Sequence, residues 1–532
     1  MKEKLPIVVL SASTITLALS LSSCSQKWVE EEHGTYRLIK QQGGQTLGYS
    51  PNSGIQLLEQ DGFKFKSLNK NGKLDKYEDW RLPMEERATD LASQLSLEEI
   101  AGLMLYSGHQ SIPATGSSYI AGGTYGGKTL AESGAKSSDL TDQQRKFLVE
   151  DNLRHVLITT VESPQVAAEW NNNMQELCEG IGHGIPSNTS SDPRHTASAR
   201  AEFDAGAGGQ ISLWPSTLGL AATFDPNIIE RFGRIAALEY RALGIATALS
   251  PQVDIATDPR WWRNSGTFGE DPLLSTHIAR AYCDGFQTSS PEARIEGAWG
   301  YESVNAMVKH WPGGGSGEGG RDAHFIVGKY AVYPGHNEAL ALKPFTEGAF
   351  KLTGGTGMAS AIMPYYTISV DYDGTGNAEG NNYSKYIITD LLREKYGYDG
   401  VVCTDWNVTH DEGNAMVSVI SGKCWGHETE DVVTRHYKVL MAGVDQFGGN
   451  NEAQPILDAY KMGVEEHGEA WMRARMEASA RRLLRNIFRV GLFENPYLDP
   501  EASQKLVGNA EFMQEGYDAQ VKSVVMLKNK NH

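Results

Sequence analysis

The sequence predicts an α/β fold, a (β/α)8 TIM-type barrel with a polar N-terminal extension. Three observations point there. Short apolar runs recur eight times over roughly 400 residues. Each is followed by Gly-rich or polar turns and then by a longer amphipathic stretch. The 532-residue chain, with 40% hydrophobic and 21% charged side chains, also has an ordinary globular composition. That composition excludes a disordered chain, a disulfide scaffold and a polytopic membrane protein. A net charge of −18, from 66 acidic against 48 basic side chains, argues against a nucleic-acid partner. Phosphate affinity needs clustered Lys and Arg.

Residues 1–24 read as an address. A charged Met-Lys-Glu-Lys start, an apolar stretch from Leu5 to Leu19 and small residues before Cys24 describe a secretory signal. Ser11, Ser13, Thr14 and Thr16 make the stretch a poor permanent membrane span. Leu21-Ser-Ser-Cys24 resembles a bacterial lipoprotein box, in which cleavage leaves Cys24 lipidated. The expectation is an exported lipoprotein, periplasmic or attached to the outer membrane, that meets the membrane only through this anchor. Cys178, Cys283, Cys403 and Cys424 form no Cys-x-x-Cys pair, so they are expected as buried free thiols rather than zinc ligands.

Residues 25–84 read as a polar linker broken by Gly43-Gly44 and Pro51-Asn-Ser-Gly54. Within it, Ser67 to Glu78 approaches the EF-hand template D-x-[DN]-x-[DN]-G-x5-E. Asn69, Asn71, the Lys73 carbonyl, Asp75 and Glu78 would be the Ca2+ ligands, although Ser67 stands where the template has Asp. The alternative is a turn held by Asx-type hydrogen bonds. A structural Ca2+ is thus a candidate, and no other cofactor is required.

The barrel is placed over residues 85–494. Ser96-Leu-Glu-Glu99 is a capping box that opens a helix. The apolar runs are Leu103–Ser107, His155–Val161, Gly184–Ser190, Ile245–Ile255, Ala306–Trp311, Met358–Met363, Gly400–Thr404 and Gly443–Phe447. A closing helix from about Ala470 to Val490 buries Met472, Met476, Leu483, Leu484 and Ile487. Its six arginines are expected on a solvated face.

In such a barrel the chemistry sits just after the strands. Four strand ends stand out: Ser190-Ser-Asp192-Pro-Arg-His195, Asp258-Pro-Arg-Trp-Trp-Arg263 with Gly269-Glu-Asp-Pro272, Lys309-His310-Trp-Pro-Gly313, and Cys403-Thr-Asp405-Trp406. The run Gly313 to Gly320 lacks the Lys-Ser/Thr of a P-loop and the spacing of a dinucleotide motif, so it reads as a mobile loop over an active site.

In this order the motifs resemble glycoside hydrolase family 3, the β-glucosidase and β-xylosidase group, from about Leu82 to the last residue. The resemblance implies an exo-acting retaining β-glycosidase that takes terminal non-reducing β-D-sugars from an oligosaccharide or β-glycoside. It implies Asp405 as nucleophile, Trp406 as part of a sugar platform, and Asp192, Arg263, Lys309 and His310 as hydroxyl-binding residues. Tyr366, at the end of Ala361-Ile-Met-Pro-Tyr-Tyr366, would be the family tyrosine beside the nucleophile.

The second carboxylate is less clear from sequence. In most two-domain members the acid/base is a Glu from an α/β domain after the barrel. Residues 495–532 read as a linker leading into the first helix and strand of that domain, Asp518 to Lys528, with the rest missing. Asp322-Ala-His324 has the form of the Asp–His dyad used by single-domain β-N-acetylhexosaminidases of the family, here with Gly314 in place of an expected His. The alternatives are therefore a hexosaminidase using Asp322 and His324, or a non-catalytic sugar-binding remnant lacking its acid.

Overall fold

The computed structural model describes residues 27–114, 116, 122–196, 210–374, 376 and 378–530. The expected signal segment and Cys24 lie outside the described residues.

Eight parallel strands form the barrel: β1 (Leu105–Tyr106), β2 (His155–Val161), β3 (Asn188–Ser191), β4 (Ile245–Ala248), β5 (Asn305–Trp311), β6 (Ala361–Pro364), β7 (Val401–Val402) and β8 (Phe447–Gly448). Each coincides with one of the eight apolar runs or its edge. Neighbours pair in chain order, and β8 pairs with β1. The seam between β7 and β8 is closed by the Cys403–Gln446 bridge, where Thr404 N–H donates to the Gln446 carbonyl at 2.9 Å. β5 is buried along its whole length, as expected for a parallel strand covered by helices.

The helices begin where the sequence signals them. Pro164–Glu179, Pro226–Ala242 and Pro272–Gln287 each open with a Ser or Asp cap followed by Pro, the cap oxygen accepting a free first-turn N–H. Ser96 and Glu99 form the expected capping box before Leu97–Leu103. The four cysteines Cys178, Cys283, Cys403 and Cys424 are free and buried. Among the described residues no helix is long and apolar enough to cross a membrane.

Three expectations change. The N-terminal linker is folded: Trp28–His33, Tyr36–Gln41 and Leu47–Tyr49 form an antiparallel sheet, and Gln56–Gln60 pairs with Phe63–Ser67. It is tied to the barrel by Lys66, whose ammonium donates to the Gly48 carbonyl at 3.0 Å and to Glu179 at 3.3 Å. The strands look polar in sequence because they are short and mostly half-exposed, with a small core around Ile39, Leu47 and Tyr49.

The loop at Ser67–Glu78 is closed by its own hydrogen bonds. The Glu78 carboxylate accepts from the N–H groups of Leu68, Asn69 and Asp75, and the Asn69 and Asn71 amides both donate to Asp75. Asn69 and Asn71 also accept from the N–H groups of Asn71 and Lys73, which is the Asx-turn arrangement.

The arginines of the closing helix (Glu469–Arg489) do not face solvent. Arg475 donates to the carbonyls of Leu440 and Val444, and burial pulls it down to about 10. Arg481, Arg482 and Arg485 converge on Asp399, and Arg482 also reaches the fully buried Asp445. The helix covers the barrel near the N-terminal ends of β7 and β8, where carbonyls and carboxylates call for cations.

At the C-terminal end, the helix Ala510–Lys522 packs on the barrel through Arg231 and Glu515. The strand expected to follow it is not formed. Val524, Val525, Met526 and Leu527 are exposed and lie outside any sheet.

Candidate active site

The C-terminal ends of β3 to β7 deliver most of the sequence-predicted site residues to one place. Immediately after β3, Asp192 accepts from the Lys309 ammonium on β5 at 3.1 Å. His310, next on β5, turns its Nε2 towards Asp405, 3.9 Å from Oδ2. Arg263 is buried beside them and contributes positive potential at His310, Asp322 and Tyr366. Tyr366, after β6, accepts from the Trp406 N–H at 3.1 Å through its hydroxyl, and the Asp405 charge beside it adds to burial in raising its pKa.

Asp405 itself is nearly buried, 6% exposed. Its Oδ1 accepts from the Trp406 N–H at 2.8 Å, whereas Oδ2 has no hydrogen-bond partner. A buried carboxylate oxygen left unpaired is costly, so such a group in a native fold asks for a functional reason. One oxygen is oriented and the other is free. Trp406 packs against Tyr106 and His109, with ring centroids 5.2 and 6.1 Å away.

The loop residues Asp322 and His324 are hydrogen-bonded to each other. Asp322 Oδ1 accepts from the backbone N–H and Nδ1 of His324, and Oδ2 accepts from Trp261 Nε1 at 2.7 Å and the Tyr365 hydroxyl at 2.9 Å. Burial alone would raise its pKa, but His324, these donors and the Arg263 charge outweigh it and hold the carboxyl far below the usual range. Asp322 is therefore an ionised anchor, not a proton donor. His324 lies edge-on to Tyr366 at 4.9 Å.

Three residues absent from the sequence-stated set belong to the site. Asp254 is fully buried beyond β4 and accepts from the His310 N–H at 3.0 Å, His310 Nδ1 at 2.7 Å and the Gly314 N–H at 2.6 Å. Desolvation raises its pKa, but the His310 and backbone donors overcome this and keep it ionised. With Nδ1 donating to Asp254, and burial lowering the His310 pKa, the imidazole is neutral and offers Nε2 as an acceptor. The visible signal was an Asp ending the long apolar run Ile245–Ile255. Tyr365 orients Asp322, and its only signal was adjacency to Tyr366.

Lys423 had no sequence signal at all. It is 1% exposed, donates to the carbonyls of Val419 and Ser421, and stands 5.3 Å from the centroid of the Tyr366 ring. Burial pulls it down to about 8, against the opposing charges of Asp405 and Asp322.

The first part of the Gly-rich loop is packed rather than mobile. Gly313 to Ser316 are buried, and a Cβ on Gly314 would stand 3.0 Å from the Asp254 carboxylate. On Gly315 it would collide with the Ile255 carbonyl. The glycines let the backbone approach Asp254 closely enough to donate to it.

A closed eight-stranded barrel with an oriented, half-unpaired carboxylate at its C-terminal mouth, ringed by buried cations and polar side chains, has the architecture of a glycoside hydrolase barrel. The profile of the Glycosyl hydrolase family 3 N terminal domain matches residues 131–486, and the chain belongs to that family. It is 38% identical over 491 residues to a periplasmic beta-glucosidase/beta-xylosidase of Dickeya chrysanthemi, covering 90% of this chain and 69% of that protein. It is 35% identical to beta-glucosidase C of Emericella nidulans, covering 84% of this chain and 65% of the relative. Among solved structures, a β-glucosidase from Erythrobacter marinus superposes with a TM-score of 0.62 at 22% identity, over 86% of this chain and 52% of that one. The β-glucosidase of Listeria innocua in complex with glucose gives 0.60 at 23%, over 84% and 52%. These two likenesses concern the fold. The chain spans about two thirds of the length of the curated relatives it matches and about half that of these structures.

Proposed function

We propose that this barrel acts as an exo-acting retaining β-glycosidase on terminal β-D-glucosides or β-D-xylosides, with Asp405 as nucleophile. The observation that carries the reading is the state of Asp405: Oδ1 fixed by the Trp406 N–H, and Oδ2 buried, unpaired and facing the His310 side of the pocket. Asp192, Lys309, Arg263 and His310 supply charged and polar partners for the sugar hydroxyls, which an apolar pocket could not discriminate. Trp406 offers the sugar an aromatic surface.

In the first step Oδ2 attacks the anomeric carbon and the bond to the leaving oxygen breaks. The bonding pair goes to that oxygen, which takes up a proton from a general acid. In the second, water attacks the anomeric carbon, the bond to Oδ2 breaks to release Asp405 as carboxylate, and the water's proton returns to the conjugate base of that general acid. Asp254 and Asp322 are held ionised, and Asp192 is tied to Lys309, so none of the three is placed as the acid. A leaving group that departs as a stable anion needs no proton and isolates the nucleophile's work.

The test uses 2,4-dinitrophenyl 2-deoxy-2-fluoro-β-D-glucoside and its xylose counterpart, read by intact mass. The expected result is one fluoroglycosyl group per chain, mapped to the peptide carrying Asp405 and abolished by Asp405→Asn. No adduct with either sugar, or an adduct surviving that substitution, overturns the reading.

We also read the chain as exported. The Dickeya relative is named periplasmic, and the Leu21-Ser-Ser-Cys24 segment supports lipid attachment at Cys24. Mass analysis of the mature N-terminus from its native cell tests this: a diacylated Cys24 is expected, and an unmodified N-terminus elsewhere refutes it.

A further inference from the structure

Gln252 carries a polar group that the fold does not use. The residue is 7% exposed, and its Nε2 has no hydrogen-bond partner among the described residues. An amide nitrogen has two protons to donate, and burying it unpaired costs stability. Native folds keep few such groups, and each asks for a reason.

Two registers fix where the side chain points. Gln252 is the bridge partner of Lys309 on β5: the Lys309 N–H donates to the Pro251 carbonyl at 3.0 Å, and the Val253 N–H donates to the Lys309 carbonyl at 2.7 Å. Paired residues on neighbouring strands share a face, and Lys309 uses that face to reach Asp192. Side chains also alternate along an extended segment, so Gln252 shares a side with Asp254, which holds His310. Val253, between them, belongs to the hydrophobic core. The amide oxygen rests against the turn Trp262–Gly266, which carries Arg263: a Cβ added to Gly266 would meet Oε1 at 2.7 Å, with Nε2 farther off.

Gln252 is thus set among Lys309, Asp254 and the Arg263 turn, at the mouth of the barrel. Two other atoms of that mouth share its unpaired state, Asp405 Oδ2 and Trp406 Nε1. Lys309 and His310 join the two places, since one pairs with Gln252 and the other turns its Nε2 towards Asp405. Resting on the glycosidase reading above, we infer that the Gln252 amide is a sugar-binding group that donates to one hydroxyl of the terminal sugar beside the Asp192–Lys309 pair. A site built around such a donor rejects a sugar that lacks the hydroxyl, because the amide is then left unpaired. Gln252 selects the sugar and takes no part in bond breaking.

The test uses Gln252→Met, which keeps the length and unbranched shape of the side chain and removes its polar end. Substrates are 2,4-dinitrophenyl β-D-glucoside, its monodeoxy analogues at C2, C3, C4 and C6, and the β-D-xyloside, which has no C6 hydroxymethyl group. On the glucoside kcat/KM should fall about tenfold, the size of a strong neutral hydrogen bond. One monodeoxy analogue should lose less than twofold, and its missing hydroxyl identifies the partner; if that is the C6 hydroxyl, the xyloside is spared as well. The melting temperature should hold or rise, because the variant no longer buries an unpaired amide. A loss under twofold on the glucoside, or an equal loss on every substrate, overturns the inference, and a lowered melting temperature with that equal loss marks the amide as structural. Wild-type protein inert towards all of these substrates would instead sink the glycosidase reading, and the sugar contact with it.

Discussion

Asp254→Asn probes the positioning of the site with little change of shape. Asn keeps a carbonyl in place of Oδ1, so the N–H groups of His310 and Gly314 retain an acceptor. The contact that changes is the 2.7 Å bond between Oδ2 and His310 Nδ1. An amide NH2 in that place forces the imidazole into its other tautomer, with Nδ1 accepting and Nε2 carrying the proton. His310 then presents a donor where it had presented an acceptor, on the side that faces Asp405. The loss is one charge-assisted hydrogen bond and its orienting effect, about 1.5–3 kcal/mol. At 1.4 kcal/mol per decade, kcat/KM for 2,4-dinitrophenyl β-glucoside should fall about ten- to a hundredfold. Stability should change little, because removing a buried charge offsets much of the lost bonding. The assay pairs kcat/KM with thermal melting and with nitrogen-15 NMR of the His310 tautomer. A rate within threefold of wild type despite a switched tautomer would refute the argument.

Lys423 sets a pH limit. Its folded pKa, lowered by burial to about 8, means the cation beside Asp405 is present below that pH and lost above it. An alkaline limb of kcat/KM near pH 8 is expected, moving upward in Lys423→Arg; an unmoved limb would show that another group titrates. At the opposite end of the barrel, Asp445 accepts from Arg393 at 2.5 Å, Arg482 at 3.1 Å and the Val402 N–H at 3.0 Å. Asp445→Ala leaves buried guanidinium charge uncompensated and should cost about 3–5 kcal/mol in urea unfolding. A loss under about 1 kcal/mol would mean that the remaining carboxylates and carbonyls suffice for these arginines.

Much of this molecule was legible in one dimension. The eight apolar runs located eight barrel strands because a parallel strand buried on both faces needs an uninterrupted apolar stretch. Ser/Asp–Pro pairs marked helix starts because caps are satisfied within a few residues. Asp405, Lys309 and His310 were legible because the fold fixes chemistry at strand ends. The N-terminal sheet was hidden, since its strands are short and half-exposed and their pattern resembles that of a polar linker. The arginine face was misread for a related reason: a charged helix face has the same spacing whether it meets water or Asp399 and Asp445.

What the sequence determined by itself was the barrel, its order of βα units and the placement of Asp405 at the end of β7. The tertiary structure decided what each polar group is for. Asp322, a candidate acid in the sequence, is saturated by four donors and stays ionised. Asp254 and Lys423, separated from Asp405 by 151 and 18 positions in the chain, shape the catalytic centre. Hydrogen-bond partners and desolvation belong to three-dimensional neighbourhoods, and the order of residues specifies those only through the fold.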